Sequence, residues 1–347
     1  MKLLSIIRTL AGVLGLGLMA AATGQQAPIP FKIGANFSSD HAPAFVAVEK
    51  GFFANHGLDA KIVMYQTGIE SINGLMAGSQ DVNVMGTPPF LVGVSKGMPL
   101  VLIGLSHGDA LASSYAPFSI VSNGSAGVKQ GDAKSLAGKK IGLARGTVAE
   151  AYLAGILSQG GLKISDVTLV NVAQASMVTA LRQGDVDAIS SWEPWATIAA
   201  TRVPGASRVF YGGCGLCFDP GTTLTTRANA IAKGEALKRF TLAYAEAMQW
   251  VRRNPGEAAE ISARWIPGVD AETLKGAIQR SNFDPRLSKF TVEGFNTRSI
   301  PVLIGQKSLS KEFDVRGHID PQFIRHAETA GAQFFSDLKP IPAAVSY

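Results

Sequence analysis

One pattern in this chain occurs twice, and it narrows the possible folds more than any other feature. Phe31 to Asn36 (FKIGAN) reads as a buried strand, with a helix expected through Ala44–Ala54. Asp59 to Tyr65 (DAKIVMY) is the next strand, then a helix through Ile69–Ala77, then a third strand over Val82 to Gly86. A second series begins at Lys139 with KKIGLA as a strand and a helix through Val148–Gln159. Val167–Val170, Ser176–Arg182 and Val186–Ser190 continue it as strand, helix and strand. The punctuation recurs at an offset of roughly 105 residues. Gly57-Leu58 matches Gly161-Leu162, and the run Leu75 to Val82 matches Leu181 to Val186, with Asp81 set against Asp185. The glycine suits a helix C-terminal stop, where positive φ is needed, and the acid leads into a strand. Apolar strands alternating with amphipathic helices imply parallel sheets covered on both faces, an α/β class.

Two such units fit within 347 residues, a length that suits two cores rather than one. Tyr115 to Val121 reads as a crossing strand between them, and Val209–Gly213 leads out of the second. The remainder is mostly helical by period, as in Phe240–Val251 and Ala271–Arg280, and has no sheet of its own. It is expected to pack on the first unit. The chain would then cross twice, near 116 and near 214, and two crossings make a hinge. The expected division is 28–115 with 222–347 as lobe I and 116–221 as lobe II.

Lys2 and Arg8 precede the apolar stretch Leu10 to Ala22, which ends in small residues. That arrangement describes a secretory signal peptide over residues 1–22, cleaved near Ala22 or, as the alternative, at Gln26-Ala27. At about 13 residues the stretch is shorter than the roughly 20 needed to span a bilayer; an uncleaved anchor is the rival reading. The expected mature chain is exported, most simply to a bacterial periplasm. Without Lys2 and Arg8 there remain 30 basic against 26 acidic residues, +4. That charge is too dilute for a nucleic-acid surface.

Ligands of open α/β sheets bind beyond the carboxyl ends of strands, where helix N-termini present free N–H groups. Those loops supply the candidates: Asn36, Ser38, Ser39 and His41 after the first strand, Gln66 and Thr67 after the second, Thr87 after the third. The second unit adds Arg145, Gly146, Thr147, Trp192 and Glu193. Hydroxyls, amides and glycines suit a small polar solute, although Ser39, Thr87 and Thr147 would serve equally as helix caps. Gly146-Thr147 beside Arg145 could hold an oxyanion, and Trp192 could wall the cleft. Glu193 fits an anion site only if it accepts from a donor of its own.

Catalytic signatures are missing from the sequence: no G-x-S-x-G, no H-E-x-x-H and no G-x-x-x-x-G-K-[ST]. No cofactor is called for, and His41, His56, His107, His318 and His326 lack metal-ligand spacing. Cys214 and Cys217, the only cysteines, have redox-type spacing but sit in a Gly-rich loop. In an oxidising compartment they are expected to form a disulfide that stiffens the return crossing. A secreted thiol-disulfide oxidoreductase is the rival from another functional class.

The segment Ala42-Pro43-Ala44 through Glu49-Lys50-Gly51-Phe52-Phe53 to Gly57-Leu58-Asp59 resembles one group of periplasmic binding proteins. These are the nitrate/sulfonate/taurine-type solute-binding proteins, related to the thiamine-pyrimidine-precursor (NMT1/THI5-like) group. Gly78 to Val82, Ser135 to Gly142, Gly184 to Ala188 and Trp192-Glu193-Pro194-Trp195 add to the likeness, which runs over about 31–230. The resemblance implies a two-lobed, type II-like binding protein with two parallel or mixed sheets that works beside a membrane ABC permease; a monomer is expected. It implies capture of a small oxyanion (sulfonate, taurine, sulfate ester or nitrate), with a pyrimidine-like heterocycle or aromatic acid as the alternative. Gly146-Thr147 matches the place where sulfonate binders present backbone N–H groups. Glu193 stands where Asp is usual, and the Cys214/Cys217 pair is foreign to the sulfonate binders.

Overall fold

The computed structural model describes residues 27–108, 111, 118–212 and 218–347. The first series forms β1 (Ile29–Asn36), α1 (Ala42–Glu49), α2 (Phe52–Asn55), β2 (Leu58–Tyr65), α3 (Gly68–Met76), β3 (Val82–Met85), α4 (Thr87–Ser95) and β4 (Leu100–His107). The second forms β5 (Phe118–Ser122), β6 (Lys140–Leu143), α5 (Val148–Gln159), β7 (Thr168–Asn171), α6 (Gln174–Gln183), β8 (Ala188–Trp192), α7 (Trp195–Arg202) and β9 (Ser207–Tyr211). The expected helix over 44–54 is two pieces, because Gly51 adopts φ 75° and turns the chain between them.

The chain returns through β10 (Gly221–Thr226) to a helical tail. The tail contains α8 (Arg227–Ala232), α9 (Gly234–Arg253), α10 (Pro255–Trp265), α11 (Ala271–Gln279), α12 (Lys289–Gly294), α13 (Ile300–Gly305) and α14 (Gln322–Ala330). The two sheets share one plan: β2-β1-β3-β10-β4 and β7-β6-β8-β5-β9. In each, the strand that has arrived from the other unit runs antiparallel to both its neighbours, β10 to β3 and β4, β5 to β8 and β9. The sheets are therefore mixed rather than wholly parallel. β10 (GTTLTT) gave no apolar signal, yet it is buried throughout. Two of its hydroxyls find backbone partners, Thr225 Oγ1 donating to Asp81 O at 2.7 Å and Thr222 Oγ1 to Met85 O at 3.3 Å, which lowers the cost of polar side chains in a sheet interior; the Thr223 hydroxyl is buried without a partner among the described residues.

The internal repeat has a hydrogen-bond signature. Lys32 N donates to Asp81 Oδ2 at 2.7 Å, and Lys140 N donates to Asp187 Oδ2 at 2.8 Å. Each aspartate returns its own N–H to the same lysine's carbonyl at 2.8 Å. The counterpart of Asp81 is thus Asp187 and not Asp185, because only the residue one step before the strand faces the neighbouring strand's free N–H.

The tail packs on the first sheet. Phe240 stacks on Phe31 and Phe53 at 5.5 and 5.6 Å, and Trp265 on Phe45 at 5.3 Å. It also covers the free edge of β4, where Leu105 N donates to Pro285 O, Gly108 N to Asn282 O and Asp320 N to Leu102 O. Edge strands left bare invite foreign pairing. The tail touches the second lobe as well: Arg202 of α7 pairs with Asp270, the N-cap of α11, and donates to Gly268 O at 3.2 Å.

Candidate functional site

The turn after β1 gathers four of the expected residues. Ser38 Oγ donates to Asp40 Oδ2 at 3.1 Å and accepts from Asp40 N, capping the short turn Ser39–His41. His41 Nδ1 lies 2.8 Å from Asn36 O and 3.0 Å from Asn36 N, so its tautomer decides which of the two it bonds. Burial lowers the His41 pKa to about 4, against the pull of the Asn36 carbonyl; nearby His107 lowers it further and Asp40 raises it. The ring is therefore neutral at neutral pH. Asp40 also accepts from Ser281 Oγ at 2.8 Å. Around this cluster, the buried Ser39 and Tyr244 hydroxyls have no partner among the described residues.

Thr87 sits at the start of α4, fully buried. Its N–H donates to Asp219 at 2.7 Å and its hydroxyl to Pro220 O at 2.6 Å, so both donors are already engaged by the returning chain. Burial pushes the Asp219 carboxyl above its ordinary range, although His107 and the Thr87 N–H act the other way. Gln66 and Thr67 are exposed, and Thr67 caps α3 by accepting from Glu70 N at 3.2 Å.

In the second lobe the expected oxyanion cradle contains a carboxylate of the chain itself. Glu150, in the first turn of α5 and buried, accepts from Gly146 N at 2.9 Å and from Arg145 Nε at 3.2 Å. Thr147 caps the helix, accepting from Ala149 N at 3.3 Å while donating to Ala144 O at 2.7 Å. Glu193 is likewise matched: fully buried, it accepts from Arg208 Nη1 at 2.9 Å and Thr197 N at 3.2 Å. Arg208 is held by Ser119 and Thr197 hydroxyls at 3.1 and 2.8 Å. Trp192 is half-buried and packs against the apolar clusters on both sides of its strand. Beside it, Ser191 Oγ donates to Gln174 Oε1 at 2.7 Å, while Gln174 Nε2 is buried without a partner.

The lobes meet around a cavity of about 20 Å³. Thr87 and Pro88 line it from α4, Val148 and Ala151 from α5, and Phe218, Arg298, Ser299, Val302 and Leu303 from the returning chain and tail. Of the expected residues only Thr87 is on this wall, with Thr147 one position from it; the others do not line it. Sequence reading missed Glu150, Arg208, His107, Asp219 and Arg298. The strand signal of Val101 to Leu105 before Ser106-His107-Gly108 would have located His107. Glu150 stands at capping-box spacing from Thr147, a local signal that would have located it; the remaining three are visible only once the partners meet. Cys214 and Cys217 lie outside the described residues, as do residues 1–26 with the expected signal peptide and the crossing near 116.

Among the described residues no group of three or more His, Cys, Asp or Glu side chains is placed to hold a metal, and no helix is long and apolar enough to cross a membrane. Comparison with known proteins gives a consistent result. A Bacillus subtilis (strain 168) protein named for aliphatic sulfonate binding is 26% identical over 290 residues, covering 82% of this chain and 85% of that protein. The alkanesulfonate-binding protein SsuA from Xanthomonas axonopodis pv. citri, solved bound to MOPS, has the same fold: TM-score 0.73, 20% identity, 85% of this chain and 99% of that one. The fold also serves an enzyme, the desulfurization enzyme DSZB, with TM-score 0.64 and 16% identity over 87% of this chain and 99% of that one. The model of the family described as NMT1/THI5 like matches residues 38–258, more than half of the chain, and the chain belongs to that family.

Proposed function

We propose that this chain is the exported, periplasmic solute-binding component of an ABC importer, a monomer that captures a small oxyanion between its lobes and presents it to a membrane permease. The observation that carries this reading is the cavity lined from both sheets at the helix starts that follow their strands, Thr87-Pro88 on one side and Val148 on the other. A solute touching both walls favours the closed arrangement over the open one by its differential contacts. The names of the sulfonate-binding relatives support the class of ligand. At about 20 Å³ the cavity holds little more than a water, so the lobes part to admit a solute.

Thermal denaturation with a panel of sulfonates, taurine, sulfate esters and nitrate tests the reading. A true ligand at about 100 times its dissociation constant stabilises by roughly 2.7 kcal/mol. If only pyrimidines or other aromatic rings shift the melting curve, the oxyanion assignment falls. The Glu150 carboxylate on Gly146 N–H favours that second reading, because it places negative charge where an oxyanion was expected. Binding is proposed to leave the solute unchanged. Mass spectrometry that found a converted product after incubation would replace transport by catalysis.

A further inference from the structure

Resting on the capture of an anion between the lobes, we infer that Arg298, from the helical tail, is the residue that reads the ligand's charge, and that the ligand carries an apolar body. Arg298 lies on the π-helical turn Phe295–Ser299, and widened turns of this kind recur at functional positions. Its guanidinium carbon stands 4.9 Å from the centre of the Phe218 ring, at the wall of the interlobe cavity. Stacking on a ring holds the plane while leaving the N–H edge available to a carboxylate or to two sulfonate oxygens.

Several of the other donors near the cavity are engaged within the protein. Thr87 gives both its donors to Asp219 and Pro220, Gly146 gives its N–H to Glu150, and Arg208 is bound to Glu193. The Arg145 guanidinium is exposed and bonded to Glu150. Arg298, by contrast, forms no ion pair among the described residues, although it is half-buried. A cation kept out of water without a carboxylate partner gains most from an incoming anion. Apart from Ser299, whose hydroxyl donates to Phe218 O at 2.7 Å, the rest of the wall is apolar: Pro88, Val148, Ala151, Phe218, Val302 and Leu303. An inorganic ion leaves that surface uncovered, whereas an alkyl or aryl tail covers it.

Isothermal titration of the full chain with 1-hexanesulfonate, hexanoate, ethanesulfonate, sulfate and nitrate tests both halves. The wild type is expected to bind hexanesulfonate or hexanoate at least tenfold more tightly than sulfate or nitrate, with affinity rising up to roughly fourfold per methylene. Arg298→Gln should weaken the preferred anion about 100-fold, and Arg298→Lys should restore part of it. Arg298→Met keeps the packing over Phe218 and should lose binding with the melting temperature unchanged, which separates charge reading from folding. Wild-type binding that survives intact in both Arg298→Gln and Arg298→Met overturns this inference and leaves the transport reading standing. Tight wild-type binding of sulfate or nitrate removes the apolar body alone. No wild-type binding to any of the five removes the oxyanion reading and this inference with it.

Discussion

The two lobes share a strand plan but treat charge at their facing ends in opposite ways. In the second, both acids are matched by arginines: Glu150 with Arg145 and Glu193 with Arg208. In the first, the buried polar groups are Asp40, neutral His41, His107 and Asp219, linked mainly through hydroxyls and backbone N–H groups. The difference teaches that a repeated backbone does not repeat its electrostatics. Backbone signatures such as Asp81–Lys32 and Asp187–Lys140 follow the shared strand order, whereas side chains at the strand ends answer to whatever packs over them.

The largest effect expected from breaking this contrast is in the second lobe. Arg208→Ala leaves Glu193 buried without its cation and should destabilise by about 3–5 kcal/mol in urea denaturation. A near-neutral result would show that water or another group compensates. In the first lobe the effect is one of pH. The folded-state pKa of His41 lies below its ordinary value of 6.5, so the unfolded chain binds the extra proton. Its contribution is complete above about pH 6.5 and is lost as the pH falls towards about 4, with a slope approaching one proton. Asp219, raised in the folded state, works in the opposite sense above the ordinary carboxylate range. Comparing His41→Gln with wild type isolates the histidine: the variant's stability should fall less steeply between pH 6.5 and 4, and parallel curves would refute a buried neutral ring.

Smaller again is Glu150→Gln, which weakens the bonds to Gly146 and Arg145 and should cost about 1 kcal/mol. The same variant should bind oxyanions more tightly, because the competing charge is gone; titration with hexanesulfonate reads this. Smallest is Ser39→Ala. Its hydroxyl is buried without a partner, so removal should change stability by less than about 1 kcal/mol. A loss well beyond that would reveal a buried water bridging it to Tyr244 or Asp40.

Much of the fold was legible because it rests on local rules. The alternation of apolar strands with helices, and the glycines at helix ends, located six strands of the two series and the helices between them. β4 and β10 escaped, one because the pattern was read only to its third strand, the other because its threonines owe their burial to neighbours far along the chain. The site was less legible. Polar residues gather in the loops after strands, yet a loop position does not say whether a donor faces the solute or a partner in its own lobe.

Sequence alone determined the repeated α/β plan, the family and the set of strand-end residues, since periodicity, turn chemistry and short motifs are properties of neighbours in the chain. Tertiary structure decided which donors remain available. It brought Arg208 onto Glu193 and Asp219 onto Thr87, and it set Arg298 against the cavity wall. Hydrogen bonds and ion pairs act over a few ångströms, so their outcome depends on packing across more than a hundred residues, as between Thr87 and Asp219, rather than on adjacency in the chain.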